Sequence, residues 1–388
     1  MKKIIYIWLV RFFSFLFTSK KPKLVIYLMS FGNNNDFILR LSKKCASKKE
    51  RLIVLYYPNC KRAALELNSA GVETVSFTEG LHFILVELRL VLNAKILFCD
   101  NYYAFLAGCR FDHRKTKVVQ VWHANGAVKS FGWQEPKTLM RSLADKKRFQ
   151  EVYDQFDDYV VGSTKMAAIF VRSYHVKKNK MLILGYPRSD KFSHPEWALQ
   201  KRKLFYQRYP DLKDKEIILY APTYREGNNG VYIDLPPSFF ESMNHLDEKQ
   251  VLVIKLHPHL GESGQAIRKH FAANKKVLWL DDLLTEEILP VTDRLITDYS
   301  SVIFDYSLLE NAKEILFYCY DFDEYQDKIG IQSDFEQWLP GPLLKTTKEL
   351  FATLKQPLGQ NDLSEFNKLW NTKNDGYAAE RIIKHYLK

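Results

Sequence analysis

Residues 293–309 read DRLITDYSSVIFDYSLL. The run at 293–297 has the apolar, β-prone character of a short buried strand, Asp298 to Ser301 is a polar break, and VIFDYSLL continues with the spacing of a helix. The unit is therefore strand, loop, helix. Outward from it the same unit recurs, with strand runs at 216–220, 251–256, 277–280 and 313–318 on either side. An earlier set lies at 23–30, 52–57, 73–77, 95–99, 117–122, 158–161 and 181–184, with helical stretches between, for example 61–70, 81–93 and 163–173. Strands alternating with helices at this spacing predict an α/β chain of parallel, doubly wound sheets. At 388 residues the chain exceeds one ordinary domain, which predicts two Rossmann-like domains facing a cleft. The charged, Pro-bearing stretch at 190–212 marks the break. The expected parts are a segment at 1–20, a first domain at 21–195, a second at 196–345, and helices at 346–388 that cross back toward the first.

The charge is as unevenly placed as the strands are regular. Residues 1–62 hold 14 Lys or Arg against Asp36 and Glu50, a net of +12, whereas the other 326 residues hold 43 of each sign. A nucleic-acid binder would carry its basic stripe through the recognition domain, so no nucleic-acid partner is expected. An anionic membrane surface is. Lys3 to Phe17 reads KIIYIWLVRFFSFLF, too short and too interrupted by Arg11 for the ~20 residues of a span. The preferred reading is an interfacial helix on the cytoplasmic leaflet, which makes the protein peripheral on the cell membrane; a signal or anchor and a buried helix are the alternatives. Cys45, Cys60, Cys99, Cys109 and Cys319 form no C-x-x-C pair, which fits reduced thiols and removes a cysteine zinc site.

In doubly wound sheets ligands sit beyond the carboxyl ends of strands. Five loops there carry chemistry. After strand 117–122 come His123, Asn125, Gly126 and Ala127, an imidazole beside small residues with free N–H groups; a capping histidine is the bland alternative. Arg188 follows strand 181–184 and suits a bidentate phosphate contact, or is a surface residue after a turn. Pro222, Thr223 and Arg225 follow strand 216–220, where a hydroxyl and a guanidinium face an oxyanion unless the loop is simply a turn. Lys255 and His257 end strand 251–256 on one side of it. Thr297, Ser300, Ser301 and Asp305 surround the break in the opening stretch, where two hydroxyls at a helix start make an anion site or only an N-cap. Together these residues suit a diphosphate. No Walker motif, G-x-G-x-x-G or G-x-S-x-G occurs. The acids at 321–323 (DFD) read as a solvated turn, and no metal or cofactor is expected.

The motifs WHANGAVKSFG (122–132), GYPRSD (185–190), YAPTYRE (220–226), KLHPH (255–259), ITDYSSVIFDYSLL (296–309) and DEYQD through WLPGP (323–342) resemble those of the CDP-glycerol glycerophosphotransferase family of wall teichoic acid synthesis. The likeness runs in order from about 95 to 345, and WHANGA resembles the primase type. It implies a GT-B fold and a Gram-positive source. The implied reaction moves sn-glycerol 3-phosphate from CDP-glycerol to the N-acetylmannosamine of undecaprenyl-diphosphate-linked ManNAc-GlcNAc, with CMP released. The alternatives are a polymerase or other phosphopolyol transferase of the family, or a GT-B nucleotide-sugar glycosyltransferase. His123 and His257 match the family's two functional histidines; Asn125 to Ala127, Arg188, Thr223, Lys255, Ser300 and Ser301 fall at or beside its donor-binding positions. Ile329-Gly330 stands where many members carry Arg-Gly. His123 is expected as the base, with His257, Lys255, Arg225 and the serine pair at the leaving CMP, although the two histidines' roles are interchangeable at this level.

Overall fold

The structure is a computed structural model that describes every residue except Met1, Asn228, Asn229 and His257 to His259. Its contacts separate the chain into two units. The first comprises Met1–Asn125, Phe131–Asp190 and Trp370–Lys388, and the second Gly126–Ser130 and Lys191–Leu369.

The first unit is built on strands β1 (Leu24–Met29), β2 (Leu52–Tyr56), β3 (Glu73–Ser76), β4 (Ala94–Cys99), β5 (Lys117–Gln120), β6 (Asp158–Val161) and β7 (Met181–Ile183). Their order across the sheet is β3-β2-β1-β4-β5-β6-β7, all parallel, with Tyr27 facing Val54 on one side and Phe98 on the other. Central strands are covered by helices on both faces, so β1 is apolar and buried at every position rather than alternating. Edge strand β3 keeps exposed residues at both ends.

The second unit repeats this plan with β8 (Glu216–Ala221), β11 (Gln250–Ile254), β12 (Val277–Leu278), β13 (Arg294–Thr297), β14 (Glu314–Tyr318) and β15 (Leu343–Leu344), ordered β12-β11-β8-β13-β14-β15 and parallel. A small antiparallel hairpin, β9 (Arg225–Gly227) with β10 (Gly230–Tyr232), rises from the loop after β8. The opening stretch folds as read: Arg294–Thr297 is a strand and Val302–Tyr306 a helix, although only five residues long. Three features escape the periodicity. They are the hairpin, the two-residue β15, and the break of 81–93 into helices Leu81–Leu85 and Glu87–Leu92 around Val86.

Both ends of the chain serve the first unit. The helix Ala378–Tyr386 sets Ala379 and Ile382 into the core formed by Tyr27, Phe37 and Phe98. Its first N–H groups, from Ala378 and Ala379, donate to the Asp190 carboxylate at 2.8 and 2.9 Å. Gly185, at φ +89°, lets Lys373 approach so closely that an added Cβ would lie 2.0 Å from the Lys373 carbonyl. At the other end, the helix Lys2–Phe17 buries Ile7, Val10 and Ser14 and ties Arg11 to the Ala107 carbonyl and to Glu151. Its other face leaves Ile4, Ile5, Trp8, Phe12, Phe15 and Leu16 exposed, a helical stripe of large apolar side chains turned to solvent. Among the described residues no helix is long and apolar enough to cross a membrane.

Gly108 is the seat of this helix, since a Cβ there would meet the Ile7 carbonyl at 2.7 Å and Val10 at 2.8 Å. Gly108→Val is expected to lift the helix at a cost of about 1–3 kcal/mol. Limited trypsin digestion should then cut at Arg11 in the variant and spare the parent.

Candidate active site

In each sheet the strand order turns back on either side of its first strand, which opens a crevice beyond the carboxyl ends of the first and fourth strands. In the first unit these are β1 and β4, and the residue directly after β4 is Asp100. Its buried carboxylate accepts from the Ser30 N–H at 2.9 Å, the Phe31 N–H at 3.0 Å, the Ser30 hydroxyl at 3.0 Å and the Tyr103 hydroxyl at 2.8 Å. Burial pushes its pKa up to about 6 against these bonds.

The turn so fixed carries Phe31, whose ring stacks on the His123 imidazole at 4.0 Å and 14°. The Asp100 main-chain oxygen lies 2.9 Å from His123 Nδ1. A carbonyl only accepts, so Nδ1 is the protonated nitrogen and Nε2 holds the lone pair. Asn33 Nδ2 donates to the His123 carbonyl at 3.0 Å. The imidazole is half-buried, and burial lowers its pKa to about 4; the Asp100 bond opposes that shift and the charge of Arg188 adds to it. His123 is thus a neutral base at pH 7, oriented from three sides. Trp122 before it sits at φ +58°, in a region where a bulky residue is strained, and such strain collects at functional sites. Asn125 is buried at the point where the first unit ends.

The second unit has the same device. Asp298 directly follows β13, the fourth strand, and is buried. Its carboxylate accepts from the Thr223 N–H at 2.8 Å, the Tyr299 N–H at 2.7 Å and Arg225 Nη1 at 2.8 Å. Arg225, read from sequence as a phosphate contact, is instead buried and spent. Its Nε and Nη2 grip Asp321 in a bidentate pair at 2.6 and 2.8 Å, and the rings of Tyr299, Tyr320 and Tyr325 surround it at 5.0–5.4 Å. Burial alone would lower its pKa, but Asp298 and Asp321 hold it above the ordinary value. Breaking such a pair costs about 3–5 kcal/mol, which marks Arg225 as structural.

Gly126 to Ser130 belong to this second unit. Gly126 lies against the Phe304 ring, where a Cβ would stand 2.5 Å from ring carbon, so no other residue fits. The Ser130 N–H donates to the Gly330 carbonyl at 3.0 Å, the Gln332 N–H to the Val128 carbonyl at 2.9 Å, and Lys129 pairs with Ile331 as an antiparallel bridge. This holds Lys129 with its ammonium 5.6 Å above the Tyr224 ring, in the field of Asp298, Arg225 and Glu226. Burial brings its pKa down to about 8, with Asp298 resisting and Arg225 assisting.

Other sequence candidates divide by what they touch. Thr297 donates its hydroxyl to the Ala221 carbonyl at 2.7 Å and is fully buried, so it stitches β13 to β8 and faces no ligand. Lys255 donates to the Leu280 carbonyl at 2.9 Å and to that of Leu283, which turns its ammonium to the 280–283 turn. Ser300 Oγ accepts from the Val302 N–H at 3.3 Å, and Ser301, at the N-cap position, makes no side-chain cap. A five-residue helix has little dipole, so the serine hydroxyls rather than the helix end are the polar groups offered there. Thr223 is buried with its N–H taken, and its hydroxyl has no partner among the described residues. Ala127, Pro222 and Asp305 are buried. His257 lies outside the described residues. The acids at 321–323, read as a solvated turn, are placed otherwise: Phe322 and Asp323 begin the helix Phe322–Lys328, and Asp321 before it is largely buried, engaged by Arg225 and by the Tyr299 hydroxyl at 3.2 Å.

The reading by strand ends includes Lys129 in the His123 loop and Asp298 in the serine loop without giving either a role, and it does not select Ser30, Phe31, Asn33 or Asp100. A signal existed: an aspartate directly after the fourth strand run in both halves, in FCD (98–100) and ITD (296–298), and the polar run SFGNNND (30–36) after the first.

Comparison with known proteins identifies the family. The family model for CDP-Glycerol:Poly(glycerophosphate) glycerophosphotransferase matches residues 11–388. The chain is 31% identical over 382 residues to the teichoic acid glycerol-phosphate primase of Bacillus subtilis (strain 168), covering 97% of this chain and 95% of that one. It is 26% identical over 373 residues to the teichoic acid glycerol-phosphate primase of Staphylococcus aureus (strain NCTC 8325 / PS 47), covering 93% and 90%. Among solved structures, a variant of the wall teichoic acid polymerase TagF soaked with CDPG superposes with a TM-score of 0.70 at 18% identity, over 97% of this chain and 92% of that one. The UDP-GlcNAc 2-epimerase from Neisseria meningitidis gives 0.57 at 11%, over 94% and 98%. At such identities the structural likeness establishes the α/β fold of parallel sheets. The family match over nearly the whole chain establishes more: this protein belongs to the CDP-glycerol:poly(glycerophosphate) glycerophosphotransferase family and is a CDP-glycerol glycerophosphotransferase.

Proposed function

We propose that the protein is a primase of teichoic acid synthesis. It moves sn-glycerol 3-phosphate from CDP-glycerol to the N-acetylmannosamine hydroxyl of undecaprenyl-diphosphate-linked ManNAc-GlcNAc and releases CMP, within the GT-B class of fold. Identity to glycerol-phosphate primases over nearly the full length of both chains supports the primase reading. The observation that carries the chemistry is the His123 tautomer, with Nδ1–H held by the Asp100 carbonyl and Nε2 left as acceptor. Nε2 takes the proton of the attacking hydroxyl as oxygen bonds to the β-phosphorus and the bond to CMP breaks. A pKa near 4 makes a poor base, but an anionic substrate group against Arg188 cancels the charge that adds to that depression and draws the pKa upward. Lys129, with the hydroxyls of Thr223, Ser300 and Ser301, serves the donor's phosphates, and His257 the leaving CMP.

The exposed stripe of the Lys2–Phe17 helix and the basic N-terminal charge support a peripheral position on the cytoplasmic face of the cell membrane, where a lipid-linked acceptor is found. Mass spectrometry of the lipid product should show one added glycerol phosphate; many would assign the chain to the polymerases.

Three outcomes test the roles. His123→Ala should lower turnover by ~10²-fold or more with CDP-glycerol affinity by calorimetry unchanged; a near-normal rate would remove it as the base. In the free enzyme the imidazole nitrogen resonances of His123 should stay those of the Nδ1–H tautomer down to about pH 4, and Arg188→Gln should shift the titration to higher pH, because it removes a charge that opposes protonation. For Lys129, the ammonium loses its proton as pH rises through about 8, so CDP-glycerol affinity should weaken between pH 7 and pH 9. Lys129→Met should weaken it at pH 7 and abolish that pH dependence.

A further inference from the structure

Beside the N-terminal helix the first unit contains a cavity of about 520 Å³, lined by Lys3, Tyr6, Glu79, Tyr102, Arg141 and Arg148 with apolar residues between them. None of these takes part in the transfer described above. The volume lies within the ~300–1,000 Å³ of small-molecule sites. Tyr6, Tyr102 and Arg148 are partly buried, and Lys3, Glu79 and Arg141 are exposed. Arg148 is held by Asp145 at 2.5 Å, and the Tyr102 hydroxyl is buried with no hydrogen-bond partner among the described residues. The Tyr6 hydroxyl is buried and has no partner among the described residues. Burial, then the charges of Glu79 and Cys109, keep that phenol protonated and therefore a donor. Glu79 accepts from the Tyr57 hydroxyl at 2.7 Å, and desolvation of its carboxyl group raises its pKa.

The charge of the cavity selects its occupant. Lys3, Arg141 and Arg148 bring three positive charges, and Glu79 with the paired Asp145 removes two. A single phosphodiester balances the remainder, whereas a diphosphate would overfill it. Glu79 and the Tyr6 hydroxyl supply an acceptor and a donor for alcohol groups on the same ligand. The chain neighbours of the lining residues are exposed and apolar: Ile4, Ile5 and Trp8 around Lys3 and Tyr6, and Leu139, Met140 and Leu143 around Arg141.

We propose that this cavity binds the hydroxyl-bearing phosphodiester headgroup of a bilayer lipid, phosphatidylglycerol in chemistry, while the flanking apolar side chains enter the acyl region. The proposal rests on the membrane position inferred above and adds headgroup recognition to it. The test is cosedimentation of the full chain with phosphatidylcholine vesicles doped with either phosphatidylglycerol or phosphatidylserine. The parent should prefer phosphatidylglycerol by about tenfold, the effect of one or two charge-assisted hydrogen bonds. Tyr6→Phe, which removes a hydroxyl without a partner and should leave the melting temperature unchanged, and Arg141→Gln should each erase the preference. Equal binding of the parent to both vesicles overturns the headgroup site and leaves the membrane position standing; no binding to either overturns both. Binding of soluble glycerophosphoglycerol that depends on Tyr6 and Arg141, without vesicle binding, would assign the cavity to a free phosphodiester and overturn the lipid.

Discussion

Two buried aspartates hold the working corners of this protein. Asp100 and Asp298 each stand directly after the fourth strand of a sheet, and each turns its carboxylate to N–H groups of the loop after the first strand. A loop in that position has backbone donors with no ladder to join, and leaving them unpaired under a cover of side chains would cost about 1–3 kcal/mol apiece. One carboxylate satisfies several at once. The two crevices are therefore rigid where the sheets divide, and everything placed on those loops inherits that rigidity.

What the two corners carry differs. In the first unit the fixed turn presents Phe31 to the face of His123 while the main chain of Asp100 sets the imidazole's tautomer, so one residue orients the ring through both its carboxylate and its carbonyl. In the second unit the carboxylate is joined by Asp321, and both are committed to Arg225. Neutralising that guanidinium leaves Lys129 as the cation beside Asp298 whose proton is loosely enough held to respond near neutral pH. The guanidinium that the sequence offers to an anion thus pairs with two carboxylates of the scaffold, while the ammonium of Lys129, in the loop that follows His123, is the less tightly held charge.

Much of the fold was legible. The seven strand runs before residue 190 and the main runs after 215 became strands because buried parallel strands are continuous apolar segments that periodicity detects. The hairpin β9–β10 and the short β15 were not, since three-residue and two-residue strands have no period to measure. For the candidate site, His123, Arg188 and Thr223 lie at strand ends, where ligands gather in this architecture. Arg225, Lys255 and Thr297 were equally well placed by that rule, yet a residue at a strand end faces either the crevice or its neighbours, and their partners at 221, 280–283 and 321 are distant in sequence.

The amino-acid sequence by itself determined the alternation of strand and helix, the position of the loops that carry chemistry, the reaction class through its motifs, and the concentration of net charge in the first 62 residues. Those are properties of neighbouring residues, and local order preserves them. Only the tertiary structure decided which polar groups are already satisfied. Whether a histidine is neutral, an arginine is spent, or an N-terminal helix turns its large apolar side chains outward depends on burial and on partners tens to hundreds of residues away.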